Sequence, residues 1–200
     1  PLSMVLGYAS ELEENPDIPE EAGKQAGIIR RESEKMRRLI DELNLTTKLE
    51  YALRPIRLKE VDWVEISRQA VSEVLNGGLE SCHEIVFTEL QPGRSIRLLG
   101  DEELLRRMLD NLIRNSITHN PQGCRIEVSV GKENGCCLCA VLDDGTGIAP
   151  ESRKALNQGN DIASTRDADG KAEHGLGLKL VMQIVKAHRG SISFAGRRPH

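Results

Sequence analysis

Asp143-Asp144-Gly145-Thr146-Gly147-Ile148 places a carboxylate beside two glycines, and His174-Gly175-Leu176-Gly177-Leu178 supplies a second glycine pair downstream. A carboxylate at a strand end can accept a hydrogen bond from an adenine amino group, and paired glycines let backbone approach a ligand where a Cβ would clash. The second pair opens a helix, whose first N–H groups suit phosphate. Upstream, Asn111 and Asn115 are four apart, so a helix presents both amides on one face. An amide oxygen is a neutral hard ligand suited to Mg²⁺, which keeps several waters and bridges to phosphates. These segments describe one nucleotide site in pieces. Pro150 to Glu173, a polar stretch with Gln158-Gly159-Asn160, Asp167, Asp169 and Gly170, is a candidate lid over it.

Each segment alone has a plainer reading. Two asparagines on an exposed helix face are ordinary, Asp143 and Asp144 can simply build a turn with Gly145, and a glycine pair also permits close packing of a helix start on a sheet. No GxGxxG dinucleotide fingerprint is met and no Walker A loop occurs.

The surrounding pattern supplies elements to hold the pieces. Leu2, Val5, Leu6, Ala9 and Leu12 form an apolar stripe on a helix from Pro1 to about Glu14, broken by Asn15-Pro16-Asp17-Ile18-Pro19. A longer helical pattern runs from Glu20 to about Leu53, with Ile28, Ile29, Met36, Leu39, Ile40, Leu43 and Leu45, and Pro55 stops it. Two such helices make an antiparallel hairpin with too little core of its own, so its stripe is expected to pack on another copy as a helical bundle; packing on the chain's own globular part is the alternative. Beyond Pro55, Ile56 to Val61 alternates as a strand, and Asp62 caps a helix from Trp63 through Leu75 to Gly77-Gly78. Ile85-Val86-Phe87 and Ile96 to Leu99 predict strands, and Asp101 caps a helix ending near Asn120-Pro121. Arg125 to Val130 and Cys136 to Leu142 form a hairpin around Glu133-Asn134-Gly135. A last helix from about Leu176 to His188 is followed by a strand at Ser191 to Phe194, and His188 is expected as a favourable C-terminal charge or a surface residue. The fold class is α+β: a helical hairpin, half of a dimeric four-helix bundle, followed by an α/β sandwich with a mixed, largely antiparallel sheet.

Composition narrows the function. A net charge of -4 gives no basic footprint for nucleic acid, and at 38% hydrophobic the chain can bury a core of one or two domains. No apolar stretch approaches membrane-spanning length and no signal-peptide pattern precedes the first helix, so the chain is expected to be soluble. Pro1 at the start and the polar tail Gly196-Arg197-Arg198-Pro199-His200 suggest a piece of a longer protein, and a membrane-anchored parent stays open. Five cysteines without a CxxC pair suggest neither a zinc site nor a complete disulfide framework, and fit a reducing, cytoplasmic compartment. Cys136, Cys137 and Cys139 are expected to pack as small hydrophobes.

Together the segments resemble the ATP-binding domain of sensor histidine kinases, within the superfamily of gyrase, Hsp90, histidine kinases and MutL. Asn111-Leu112-Ile113-Arg114-Asn115 resembles the family's N box, Asp143 to Ile148 its first glycine box, and Gly175 to Leu178 its second. Pro1 to Tyr8 is similar to the segment just after the phosphoacceptor histidine, and Met36 to Leu43 to the second dimerisation helix. The resemblance implies a dimerisation and phosphotransfer hairpin over 1–54 and an ATP-binding domain over 55–200. It implies that Asn115 holds Mg²⁺ with support from Asn111, that Asp143 binds adenine, and that Gly145, Gly147, Gly175 and Gly177, with Leu178, shape the nucleotide pocket and lid. The implied activity is a protein-histidine kinase passing the ATP γ-phosphoryl group to histidine, then to an aspartate on a response-regulator receiver domain. The implied setting is a homodimer built through the hairpin, a cytoplasmic unit of a parent that an inner or plasma membrane could anchor.

The chain departs from the pattern in places. The acceptor histidine is expected a few residues before Pro1, so this stretch by itself is not expected to autophosphorylate, and none of its own histidines is assigned a catalytic role. Thr118 and His119 stand where many relatives carry a phosphate-contacting lysine and an aromatic residue, and with Phe87 and Phe194 as the only phenylalanines the lid lacks those usual in the family. The alternative is therefore a degenerate nucleotide-binding scaffold without phosphotransfer. An ATP hydrolase of the gyrase or MutL type ranks last, because Asn111 occupies the place of the glutamate that activates water there.

Overall fold

The computed structural model describes residues 1–51, 53, 55–77, 79, 81–158 and 175–196. The chain divides into two compact units, Pro1–Lys48 and Leu49–His200.

In the first unit α1 (Leu2–Glu14) and α2 (Glu20–Glu50) form the hairpin. Asn15 closes α1: its side-chain oxygen accepts from the Asp17 N–H, and Pro16 cannot extend the helix. Pro19 opens α2, its carbonyl accepting from the Ala22 and Gly23 N–H groups. Arg30 on α2 reaches back to Glu13 on α1 and along its own helix to Glu34 at 3.1 Å. The Arg30 hydrogen bond and charge hold the Glu13 carboxyl below its ordinary range. Gly27 makes room for that pair, since a Cβ there would come 2.7 Å from a Glu13 carboxylate oxygen. Within one chain Met4, Tyr8, Ile29, Met36, Ile40 and Leu43 stay exposed.

The second unit starts with β1 (Lys59–Asp62), α3 (Trp63–Asn76) and β2 (Glu84–Glu89), followed by β3 (Arg97–Gly100) and α4 (Glu102–His119). Then come β4 (Arg125–Glu133), β5 (Cys136–Asp143), α5 (Pro150–Asn157) and α6 (Gly175–Ala187). Asp62 caps α3 as its sequence predicts, accepting from the Val64 and Glu65 N–H groups. The Ser95 hydroxyl, then those two N–H groups, hold its carboxyl below the ordinary range. Strands β2, β4 and β5 form one sheet in that order, β2 parallel and β5 antiparallel to β4, and β1 pairs antiparallel with β3 as a separate ribbon. Asn134 (φ 50°) and Gly135 (φ 84°) give the β4–β5 turn the two positive dihedrals that a two-residue hairpin needs. The Trp63 indole N–H donates to the Leu138 carbonyl on β5 at 2.9 Å, while its backbone N–H donates to Ile96 at 2.8 Å, so one residue ties the ribbon to the sheet.

Helices cover one face of the sheet. Val71 and Val74 of α3, Ile113 of α4 and Cys124, Ile126 and Val128 at and along β4 form a buried cluster, in which each fully buried Ile or Val contributes about 1.5–3 kcal/mol. α6 packs on α4, with Leu180, Val181 and Ile184 buried.

Four expectations need correction. Part of the candidate lid is α5, which Pro150 starts at its first helical position and whose Leu156 is buried; the remainder of the lid, 159–173, and His174 lie outside the described residues. Ser191 to Phe194 is not a strand: the Phe194 N–H and C=O pair with the Asn157 side-chain amide, both at 2.8 Å, which occupies the groups a neighbouring strand would need. Ile56 to Leu58 precede the first strand rather than forming it. Cys136 is exposed, because β5 alternates and only Cys137 and Cys139 turn inward; burial pushes the Cys139 thiol up to about 12. None of the five cysteines forms a disulfide. No helix among the described residues is long and apolar enough to cross a membrane.

Candidate nucleotide-binding site

α4 carries the asparagines. Asp101 caps it with a side-chain oxygen that accepts from the Leu104 N–H at 3.3 Å, and its other oxygen accepts from the Arg57 N–H at 3.1 Å. Leu104, Leu109 and Ile113 are fully buried and fix which way the helix faces. Asn111 and Asn115 then fall on its flank, half-buried, and neither forms a hydrogen bond with another described residue. Arg114 is paired with Asp110 at 2.8 Å, and Thr118 is exposed.

Asp143, at the end of β5, is held from three sides. Its carboxylate accepts from the Ser116 hydroxyl at 3.0 Å, the Asn120 amide at 3.3 Å and the Gly145 N–H at 3.1 Å. Asp144 does separate work: its carboxylate accepts from the Arg125 N–H at 2.7 Å and its own N–H donates to the Arg125 carbonyl, locking the turn onto the start of β4. The two readings of the Asp-Asp pair thus divide between neighbours. Asp144 builds the turn, and Asp143 faces α4.

Asn120 organises this end of the site. It is 6% exposed, its amide donates to the Ser116 carbonyl at 2.8 Å as well as to Asp143, and its oxygen accepts from the Thr146 N–H at 3.0 Å. A Cβ on Gly145 would be driven into the Asn120 carboxamide, so Gly145 is required for space. Gly147 is required for conformation, with φ 70°. Beneath lies Cys124, its thiol against the Ser116 carbonyl and His83, and burial followed by the nearby Asp143 charge pushes it up, leaving a neutral packing group.

Gly175 and Gly177 lie in the first turn of α6 as the sequence predicts, while Leu178 turns inward and is 7% exposed. Hydrogen bonds bring Asp143, Gly145 and Thr146 onto α4; packing holds α6 there. His188 is corrected: far from being a C-terminal charge, both its ring nitrogens are bonded to backbone, at Ile184 and Asp101. Ser116 and Asn120 are the residues the sequence did not disclose. Their one available signal is the i, i+4 spacing they share with Asn111 and Asn115, five positions further along.

Residues 100–199 match the family model for histidine kinase-, DNA gyrase B-, and HSP90-like ATPases. The chain belongs to that family. Among its relatives, sensor histidine kinase YvrG of Bacillus subtilis is 29% identical over 98% of this chain and 34% of its own length. Sensor-like histidine kinase SenX3 of Mycolicibacterium smegmatis is 30% identical over 96% of this chain and 49% of its own. The chain therefore spans a third to a half of these curated relatives. Full-length ShkA in complex with AMPPNP has the same fold, with a TM-score of 0.71 at 24% identity, covering 98% of this chain and 40% of that one. Histidine kinase ThkA in complex with response regulator protein TrrA gives 0.61 at 18%, covering 98% and 54%.

Proposed function

We propose that the chain is the ATP-binding core of a two-component sensor histidine kinase, transferring the γ-phosphoryl group of ATP to a histidine and onward to a receiver-domain aspartate. The observation that carries the reading is the clasped Asp143. A carboxylate offers about four lone-pair sites, and three are taken by Ser116, Asn120 and Gly145. The fourth suits the exocyclic amino group of adenine, and the three bonds prevent the carboxylate from turning away. Asn115, supported by Asn111, has an amide oxygen without a hydrogen-bond partner among the described residues, of the hard, neutral kind that Mg²⁺ accepts. When bound there, Mg²⁺ neutralises phosphate charge. Gly175 and Gly177 let the α6 backbone approach phosphate, where its first N–H groups are free of intrahelical partners.

The domain division follows the same reading: 1–54 is the dimerisation and phosphotransfer hairpin and 55–200 the ATP-binding domain. Exposed Met4, Tyr8, Ile29, Met36, Ile40 and Leu43 suit a second copy, completing a four-helix bundle. The unit works on the cytoplasmic side, where ATP and the receiver domain are available, with its parent anchored to an inner or plasma membrane. Phosphoryl transfer depends mainly on positioning and charge neutralisation, which suits a pocket tethered to a helical acceptor.

The full-length protein incubated with γ-labelled ATP and Mg²⁺ should acquire an acid-labile phosphohistidine. ATP binding without that product would replace the kinase by a nucleotide-binding scaffold, and steady phosphate release without it would indicate a hydrolase. Asp143→Asn should weaken ATP binding about tenfold or more, since one accepting oxygen becomes an NH₂ group that can only donate, on the side now facing Ser116, and cannot accept from the adenine amino group; unchanged affinity would remove the adenine assignment.

A further inference from the structure

His188 lies one residue beyond α6, with Nδ1 2.8 Å from the Ile184 carbonyl oxygen and Nε2 2.9 Å from the Asp101 backbone nitrogen. A carbonyl only accepts and an amide N–H only donates, so Nδ1 carries the ring proton and Nε2 offers its lone pair. The first bond is local to the end of α6. The second crosses to another element, the cap of α4.

Asp101 is 4% exposed, and both its carboxylate oxygens are engaged, by the Leu104 and Arg57 N–H groups. The imidazole lies over Gly100, where a Cβ would stand 3.4 Å from its Cδ2. The C-terminal end of α6 is thereby pinned to the N-terminal end of α4, and the two helices pack on one another. Their opposite ends carry the phosphate side of the candidate site: Asn115 on α4, Gly175 and Gly177 on α6.

We propose that His188 is a positioning residue for the nucleotide phosphates, setting the angle of α6 against α4 from the far end of the helix pair. The proposal rests on the ATP reading given above. From His188 to Gly175 is about 20 Å at 1.5 Å rise per residue, so a swing of about 5° at the clasp moves the glycine turn by about 1.7 Å. Misplacement of about 1 Å is enough to cost phosphoryl transfer on the order of a hundredfold. Adenine lies outside this lever, because Asp143, Asn120 and Gly145 are bonded to α4 and to one another.

Two variants separate the two bonds. His188→Gln retains an acceptor long enough to reach the Asp101 N–H; His188→Asn retains a donor for the Ile184 carbonyl but is too short to cross. Measured in the full-length protein by calorimetry, His188→Gln should bind Mg²⁺–ATP within about twofold of wild type, and His188→Asn about tenfold more weakly. Adenosine should bind all three alike. The reverse ranking, equal effects of the two variants, or parallel losses for adenosine and ATP would overturn the proposal. Imidazole ¹⁵N spectra of the wild-type protein should show Nδ1 protonated and Nε2 bare, and the opposite tautomer would also overturn it. Should wild-type protein bind no ATP, the site reading fails; the tautomer and the exchange rate of the Asp101 amide then still decide whether the clasp exists.

Discussion

The two ends of the candidate site are built on opposite principles. Around Asp143 nearly every polar group has a protein partner: Ser116, Asn120, Gly145 and Thr146 bond to it or to one another, and Asn120 is buried beneath the turn. Around Asn111 and Asn115 the amides are unpartnered among the described residues and half-buried, and the nearest arginine is engaged by Asp110. A preorganised carboxylate suits a flat, neutral base, because orientation is fixed before the ligand arrives and one directional bond decides fit. Free amides suit a hydrated ion and a charged phosphate chain, whose ligands and waters complete the shell that the protein leaves open. On the proposed ATP reading, the contrast leaves base recognition to the folded domain and the phosphate end to be completed by its ligand.

The strongest way to break this contrast is Asn120→Asp. It sets a second carboxylate within 3.3 Å of Asp143 with almost no change in shape. Like charges that close cannot both ionise freely, so adenosine and ATP should both bind at least about tenfold more weakly at neutral pH. Affinity should partly return as pH falls through the carboxylate range and the pair takes up one proton. Titration calorimetry at two pH values checks this, and a pH-independent loss would mean that packing, not charge, was disturbed.

Asn115→Ala sharpens the contrast from the other end. It should weaken Mg²⁺–ATP several-fold and leave adenosine untouched, with stability unchanged to within about 0.5 kcal/mol, because no protein hydrogen bond is lost. The smallest effect on binding belongs to Asp62→Ala, which acts on neither end. Loss of the α3 cap should lower stability by about 1 kcal/mol with both affinities intact. Because the folded carboxyl lies below its ordinary range, the wild-type advantage is full at neutral pH. It disappears as acid protonates the group, so melting curves of the two proteins should converge at low pH.

What could be read ahead of the structure was local. Asp62 and Asp101 cap helices through N–H groups two or three residues away, and Asn134-Gly135 turns on its own dihedrals, so sequence neighbours suffice to predict them. The carboxylate, asparagines and glycines of the site were legible by type and order. Their support was not, since Asn120 and Asp143 are 23 positions apart in sequence and His188 and Asp101 are 87 apart. α5 lies within the polar stretch read as a lid, where few apolar residues mark a helical stripe, although Pro150 is at home in a helix's first turn. At Ser191 to Phe194 the alternation was real, but a side-chain amide from Asn157 had taken the backbone groups.

Trp63 is the sole tryptophan in the chain, 3% exposed, with its indole bonded to β5. The first unit, Pro1–Lys48, holds no indole at all. The molecule therefore carries a built-in optical reporter on one of its two units and silence on the other. Tryptophan emission follows the opening of the α/β unit, while circular dichroism also follows the hairpin, so a lag between the two signals would time the units separately without any attached dye.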